Sequence, residues 1–180
     1  MAYGLNPRQI VGGPAWAAAD EYDIVAAAPE GVPVTVNWNA MLRKLLADRF
    51  QLTFHHEQRE TDVYALTVAK GGPKLKPADA AEGHYSGCQR FVCTFRNDSM
   101  EQFAQWLQTE DKPVVDKTGV AGRFDFTLTW TPDESPAADN PNGPPGLFTA
   151  LQEQLGLKLE PVKAPVQVLV VDHAERPSEN

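Results

Sequence analysis

The sequence predicts an α+β fold of repeated helix–β-hairpin units, with helices packed on one face of a mainly antiparallel sheet. Three observations lead there. In 36–49, Trp38, Met41, Leu42, Leu45 and Leu46 fall at i, i+3, i+4, i+7 and i+8, one apolar stripe of a helix. In 122–130, Phe124, Phe126, Leu128 and Trp130 alternate with polar residues, the period of a half-buried strand. Finally, Leu45 to Leu52 and Leu151 to Leu159 share one organisation, an apolar-faced helix running straight into a strand.

The elements follow in order. Gly4, Asn6-Pro7 and Gly12-Gly13-Pro14 make the first segment turn-rich, with room for a short helical remnant. Tyr22 to Ala27 reads as a strand closed by Pro29 and Gly31. The helix of 36–49 takes Thr35 or Asn37 as its cap. Phe50 to Glu57 alternates, Gln58-Arg59-Glu60 is assigned to a turn, and Val63 to Lys70 returns as the second arm of a hairpin ending at Gly71-Gly72-Pro73. Residues 74–92 read as loop-rich, with a short strand near Val92 to Phe95. Ser99 with Gln102 forms a capping box for a helix over 98–109, whose stripe is Met100, Phe103, Ala104 and Leu107. Strands at 113–116 and 122–130 follow. Five prolines in 131–146 mark a surface loop. A helix over 147–155 ends at Gly156, and strands 157–162 and 166–173 make the last hairpin. The organisation is therefore 1–130 as N-terminal and central units, 131–146 as a Pro-rich loop and 147–180 as a C-terminal unit, in one compact domain or two closely packed subdomains.

Composition excludes several classes. At 180 residues, 42% hydrophobic and 22% charged, the chain has the mix of a globular domain with a real core. The 16 basic and 24 acidic residues leave a net charge of −8, which repels a phosphate backbone and argues against nucleic acid. No run of 18 apolar residues offers a membrane span. The opening Met1-Ala2-Tyr3-Gly4-Leu5 carries no leader.

Cys88 and Cys93 stand five apart. A disulfide across a short hairpin, two reduced thiols, and a zinc site completed by His84 are the open readings. His55-His56-Glu57 is the most chemical-looking cluster. On a strand His55 and Glu57 share a face and His56 points away, so His55 and Glu57 with His84 or His173 are the candidate metal ligands. The bland alternative is a polar strand face. Asp172-His173 is the base half of a nucleophilic arrangement, but Ser86 and Ser99 lack the elbow motif and Ser99 is better explained as a cap. Asp116, Lys117 and Asp125 offer an acid and a base, or simply shape a turn. Gly71-Gly72-Pro73 with Lys70, Lys74 and Lys76 lacks the spacing of a phosphate loop. By periodicity Trp38, Trp106 and Trp130 are core, whereas Trp16 lies in a loop as a candidate partner contact.

Ala2-Tyr3-Gly4-Leu5, Gly12-Gly13-Pro14-Ala15-Trp16, Val63-Tyr64-Ala65-Leu66, Ala69-Lys70-Gly71-Gly72-Pro73-Lys74-Leu75, Pro113-Val114-Val115-Asp116-Lys117-Thr118-Gly119 and Gly122-Arg123-Phe124-Asp125-Phe126-Thr127 together resemble the soil-associated protein family, an acidobacterial domain of unknown function. Tyr22-Asp23-Ile24, Leu45 to Leu52 and Leu151 to Leu159 extend the likeness over nearly the whole chain. The resemblance implies an extracytoplasmic (periplasmic or secreted) protein, normally with a leader, an upstream strand and the start of a helix before Ala2. Fusion of some relatives to sensor-type membrane metallopeptidases implies a sensing or interaction role. The helix–hairpin units also resemble the short N-terminal domain of secretins and TonB-dependent receptors. No catalytic residues carry over.

The expectation is an extracytoplasmic binding or protein-interaction domain, without a cofactor, pairing with a protein partner or a second copy through exposed strand edges. The alternative is a zinc-assisted hydrolase of esters or phosphoesters built on His55, Glu57, His84 and His173. A third reading is a scaffold that holds a fused neighbour.

Overall fold

Gln58-Arg59-Glu60 contains no glycine, proline or asparagine to reverse the chain, and the chain does not reverse there. In the computed structural model, which describes residues 2–24, 38–79, 83–108, 112–131 and 143–177, a single strand runs over Thr53–Val68. The expected hairpin over 50–70 is thus corrected to one strand of 16 residues. The C-terminal hairpin is corrected likewise, to a strand of 17 residues over Leu157–His173. Its Pro161 and Pro165 do not end it. Ala164, Val166 and Val168 are buried while Pro165 and Gln167 are exposed, so the two-residue period passes through the proline unbroken.

The described residues form three helices and eight strands in an α+β arrangement. The strands are β1 (Ile10–Gly12), β2 (Thr53–Val68), β3 (Lys76–Pro77), β4 (Tyr85–Gln89), β5 (Val92–Asp98), β6 (Val114–Asp116), β7 (Phe124–Thr129) and β8 (Leu157–His173). The helices are α1 (Trp38–Phe50), α2 (Met100–Trp106) and α3 (Leu147–Ala150). The strand orders are β1-β8-β2-β6 and β3-β7-β5-β4. His55 bonds Asp172 near one end of β2 and Thr67 bonds Glu160 near the other, so β2 and β8 run antiparallel. The second sheet is antiparallel throughout, whereas β1 on β8 and β6 on β2 are parallel.

Two compact units divide the chain, Met1–Thr61 with Ala164–Asn180, and Asp62–Lys163. In the first, Asn6 and Gln9 cap a short 3-10 turn reciprocally, and Gln9 Nε2 donates to the Gln167 carbonyl at 2.9 Å. Gly12 takes φ of +79° against β8, where a Cβ would stand 3.0 Å from the Val171 carbonyl oxygen. The expected helix stripe is present in α1, since Met41, Leu42, Leu45 and Leu46 are less exposed than their neighbours. Trp38 is a correction: it is 58% exposed rather than core, at the very start of the helix. Residues 21–24 form no regular element; the rest of the expected strand, and the Thr35 and Asn37 caps, lie outside the described residues.

In the second unit, Phe95 on β5 is fully buried and its ring meets Phe103 at 5.0 Å, Trp106 at 4.8 Å and Phe126 at 4.8 Å. These contacts fasten α2 to the inner face of the sheet. Trp106 and Trp130 pack against this core, as their periodicity predicts. The capping box on α2 is present, with Gln102 N–H donating to Ser99 Oγ at 3.2 Å and Ser99 N–H donating to Gln102 Oε1 at 3.2 Å. The expected loop over 74–92 is corrected in part: β3 and β4 lie within it. Residues 132–142 of the Pro-rich stretch lie outside the described residues. α3 widens into a π turn over Leu151–Leu155 and stops at Gly156, whose φ is +65°.

Two substitutions probe this packing. Phe95→Ala should cost about 3–5 kcal/mol, because it empties the centre of the aromatic cluster. Gly156→Ala should cost more than the ~1–2 kcal/mol of a left-handed non-glycine residue, since its Cβ would overlap the Gly72 carbonyl oxygen. Urea denaturation checks both; a Gly156→Ala loss under 1 kcal/mol would contradict that close approach.

Candidate functional site

The candidate ligands take different partners. His55 Nδ1 stands 2.8 Å from Asp172 Oδ1 and its Nε2 stands 3.0 Å from Glu57 Oε1. The structure therefore brings His55 and Glu57 together, as the shared strand face predicts. His173 instead pairs with Glu175 at 3.0 Å, and His84 with Asp98 at 3.2 Å. Among the described residues no group of three or more His, Cys, Asp or Glu side chains is arranged to hold a metal ion. Both His55 nitrogens face carboxylate oxygens, an arrangement that suits an imidazolium donating twice. The Asp172-His173 dyad is likewise corrected: the histidine that Asp172 orients is His55.

The electrostatics follow from those contacts. The hydrogen bond to Glu57, then that to Asp172, holds His55 above its ordinary 6.5. Glu57 in turn is held below the usual carboxylate range, by His55 first and by Arg59, whose Nε donates to it at 2.8 Å. The cluster is exposed on both sides, so it is a solvated ion-pair network on a strand face.

The remaining polar candidates shape backbone. Asp116 Oδ1 accepts from Thr118 N–H and from Thr118 Oγ1, both at 2.8 Å, which closes the turn after β6. Asp125 Oδ1 accepts from Asn97 N–H at 2.8 Å. Asn97 has φ of +52° at an irregularity where β5 advances from Phe95 to Asp98 while β7 retreats only from Phe126 to Phe124. The extra residue turns Asp98 inward, where it is 1% exposed. Burial raises its pKa above the usual value, against the opposing pull of His84 and Arg123.

The other candidate surface is the β4–β5 hairpin. Cys88 lies opposite Cys93 in the ladder, and the two are joined in a disulfide. On β5, Cys93 and Phe95 face the core, while Cys88 on β4 is exposed. The other side of the hairpin carries Tyr85, Gly87 and Gln89 on β4 and Val92, Thr94 and Arg96 on β5, lining an open depression of about 850 Å³. The Tyr85 side chain lies along its own strand: a Cβ on Gly87 would stand 2.6 Å from the Tyr85 hydroxyl. Gly87 is thus the space the tyrosine occupies. The loop is two residues, Arg90 and Phe91, with Arg90 at φ +56°. The sequence signal for this surface was the alternation Tyr85, Gly87, Gln89 beside two cysteines five apart, obscured by the glycines around it.

No curated protein and no solved structure matches the chain. One family model, described as "Protein of unknown function (DUF3738)", matches residues 1–174.

The His55 cluster sets a pH dependence. Its folded pKa is raised, so the stabilisation from its two ion pairs is full below about 6.5 and fades as pH rises through the higher folded value. An NMR titration of the His55 ring should give a midpoint above 6.5 that falls in Glu57→Gln and in Asp172→Asn. A midpoint unmoved by either variant would show that the carboxylates do not engage the ring in solution.

Proposed function

The chain belongs to the DUF3738 family, and on that premise we propose that it is an extracytoplasmic interaction domain that takes an extended, acidic segment of a partner polypeptide along the outer edge of β4. One observation carries the reading: β4 is the last strand in its sheet, and it is unguarded. Among the described residues no strand pairs with its outer side. Edge strands are ordinarily protected by lysine, proline or charge, and Tyr85-Ser86-Gly87-Cys88-Gln89 contains none of these.

Charge selects the occupant. The hairpin and its approach, 83–98, contain His84, Arg90 and Arg96 against a single carboxylate, Asp98, which is buried and pairs with His84. This basic edge belongs to a chain of net charge −8, so an acidic partner suits it better than a second copy. Backbone pairing would supply affinity, and the depression beside Tyr85 would supply selectivity for alternate side chains. The disulfide holds the edge in register before any partner arrives, and a disulfide persists in oxidising compartments, which supports the extracytoplasmic placement.

The experiment uses a blocked peptide of alternating valine and glutamate, titrated into the 15N-labelled protein. Saturable shifts should concentrate on β4 amides and weaken with salt, and Arg90→Glu should lower affinity by at least about fivefold. Shifts that avoid β4, or dimerisation of the isolated protein through β4, would overturn the assignment.

A further inference from the structure

A second recognition feature lies in the unit formed by Met1–Thr61 and Ala164–Asn180, and it shares no residue with the hairpin. We propose that Trp16, Tyr22, Phe50 and Asp20 build a receptor for an organic cation, a guanidinium or alkylammonium group, which Arg176 of the same chain occupies as an internal ligand.

The rings come from separate places in the sequence. Trp16 sits on the short turn Ala15–Ala18, Tyr22 follows it, and Phe50 ends α1. Trp16 and Phe50 stack with centroids 6.4 Å apart at 21°. Tyr22 stands edge-on to both, 5.2 Å from Phe50 and 6.4 Å from Trp16. A buried aromatic cluster would be closed, but this one is open. Tyr22 is 40% exposed, and a cavity of about 320 Å³ is lined by the three rings, Asp20, Leu46 and Leu52. The face of Trp16 and the Asp20 carboxylate turn negative potential toward one point, which is the surface a soft cation prefers.

Arg176 supplies the second observation. Its Nε donates to Asp20 Oδ2 at 2.9 Å, and its guanidinium carbon lies 5.6 Å from the Trp16 ring centroid. The site thus already performs cation recognition across 156 residues of sequence, with ring face and carboxylate both engaged. Arg176 follows β8 in a short segment held by the Glu175 N–H donating to the Phe50 carbonyl at 2.7 Å. Its side chain remains 62% exposed, so the contact is weak enough for a competing cation to displace. A planar guanidinium matches both the indole face and the carboxylate, which makes a partner's arginine, or a free guanidine, the natural competitor.

The test removes the internal ligand. Arg176→Ala, and Arg176→Gln as a second vacated variant, are titrated with N-acetylarginine amide, choline and the neutral N-acetylcitrulline amide. The readout is the Trp16 indole N–H signal, assigned by its loss in Trp16→Phe. Both vacated variants should bind a cation at least about fivefold more tightly than the parent protein, and adding Asp20→Asn should remove at least about fivefold. Preference for the arginine probe identifies the guanidinium class, and preference for choline the alkylammonium class. In the parent protein the arginine probe should also shift the Glu175 amide as the segment is displaced. No saturation by either cation in the vacated variants, equal binding of the citrulline probe, or indifference to Asp20→Asn would overturn the proposal.

Discussion

Burial of the Phe95 ring is the constraint on which the hairpin unit depends. It touches Phe103 and Trp106 on α2 and Phe126 on β7, so one side chain fixes the helix to the sheet and β5 to β7. Because side chains alternate along a strand, pinning Phe95 inward sends Thr94 and Arg96 outward, and the ladder carries the same parity to Tyr85, Gly87 and Gln89. The outer face of the hairpin is a by-product of the core: a one-residue slip would bury the arginine and expose the phenylalanine. The disulfide reinforces this register from the same side as Phe95, closing the only two-residue loop at which the hairpin itself could shift.

Much of this was legible before any coordinates. Ser99 and Gln102 announced their helix because a capping box is a local device, satisfied by residues three apart. Phe124, Phe126 and Leu128 announced β7 for the same reason, since alternation is read within one strand. In both long strands a charged stretch, 58–60 in β2, reads in sequence as a turn between two strands, yet the chain runs straight through it. Charge does not reverse a chain, and proline interrupts a strand only where its missing N–H is needed by a neighbour. Trp38 failed differently: periodicity assigns it to the apolar stripe of α1, yet it occupies the first turn, where the stripe has barely begun.

The candidate chemistry divides along the same line. Sharing a strand face put His55 beside Glu57, as a two-residue spacing requires. Their third neighbour, Asp172, lies 117 residues from His55, and its adjacent His173 masked it by suggesting a dyad of sequence neighbours. Adjacent residues on a strand face opposite ways, so Asp172 and His173 were poor partners from the start. Asp98 shows how one inserted residue alters chemistry. The irregularity at Asn97 turns a carboxylate inward whose sequence context, Arg96-Asn97-Asp98-Ser99, resembles an ordinary polar approach to a helix.

Arginines recur at both recognition features, but in opposite roles, and burial explains the difference. On the hairpin, Arg90 lies over the Phe91 ring at 5.4 Å, directed by its own loop, and Asp98 at the end of β5 is withdrawn into the core, where it pairs with His84. At the aromatic site the carboxylate, Asp20, is not withdrawn into the core: its side chain is 34% exposed, and the chain supplies the cation, Arg176, which is more exposed still. This acidic protein withdraws one carboxylate, Asp98, and presents another, Asp20, so each unit carries an arginine in a different electrostatic setting.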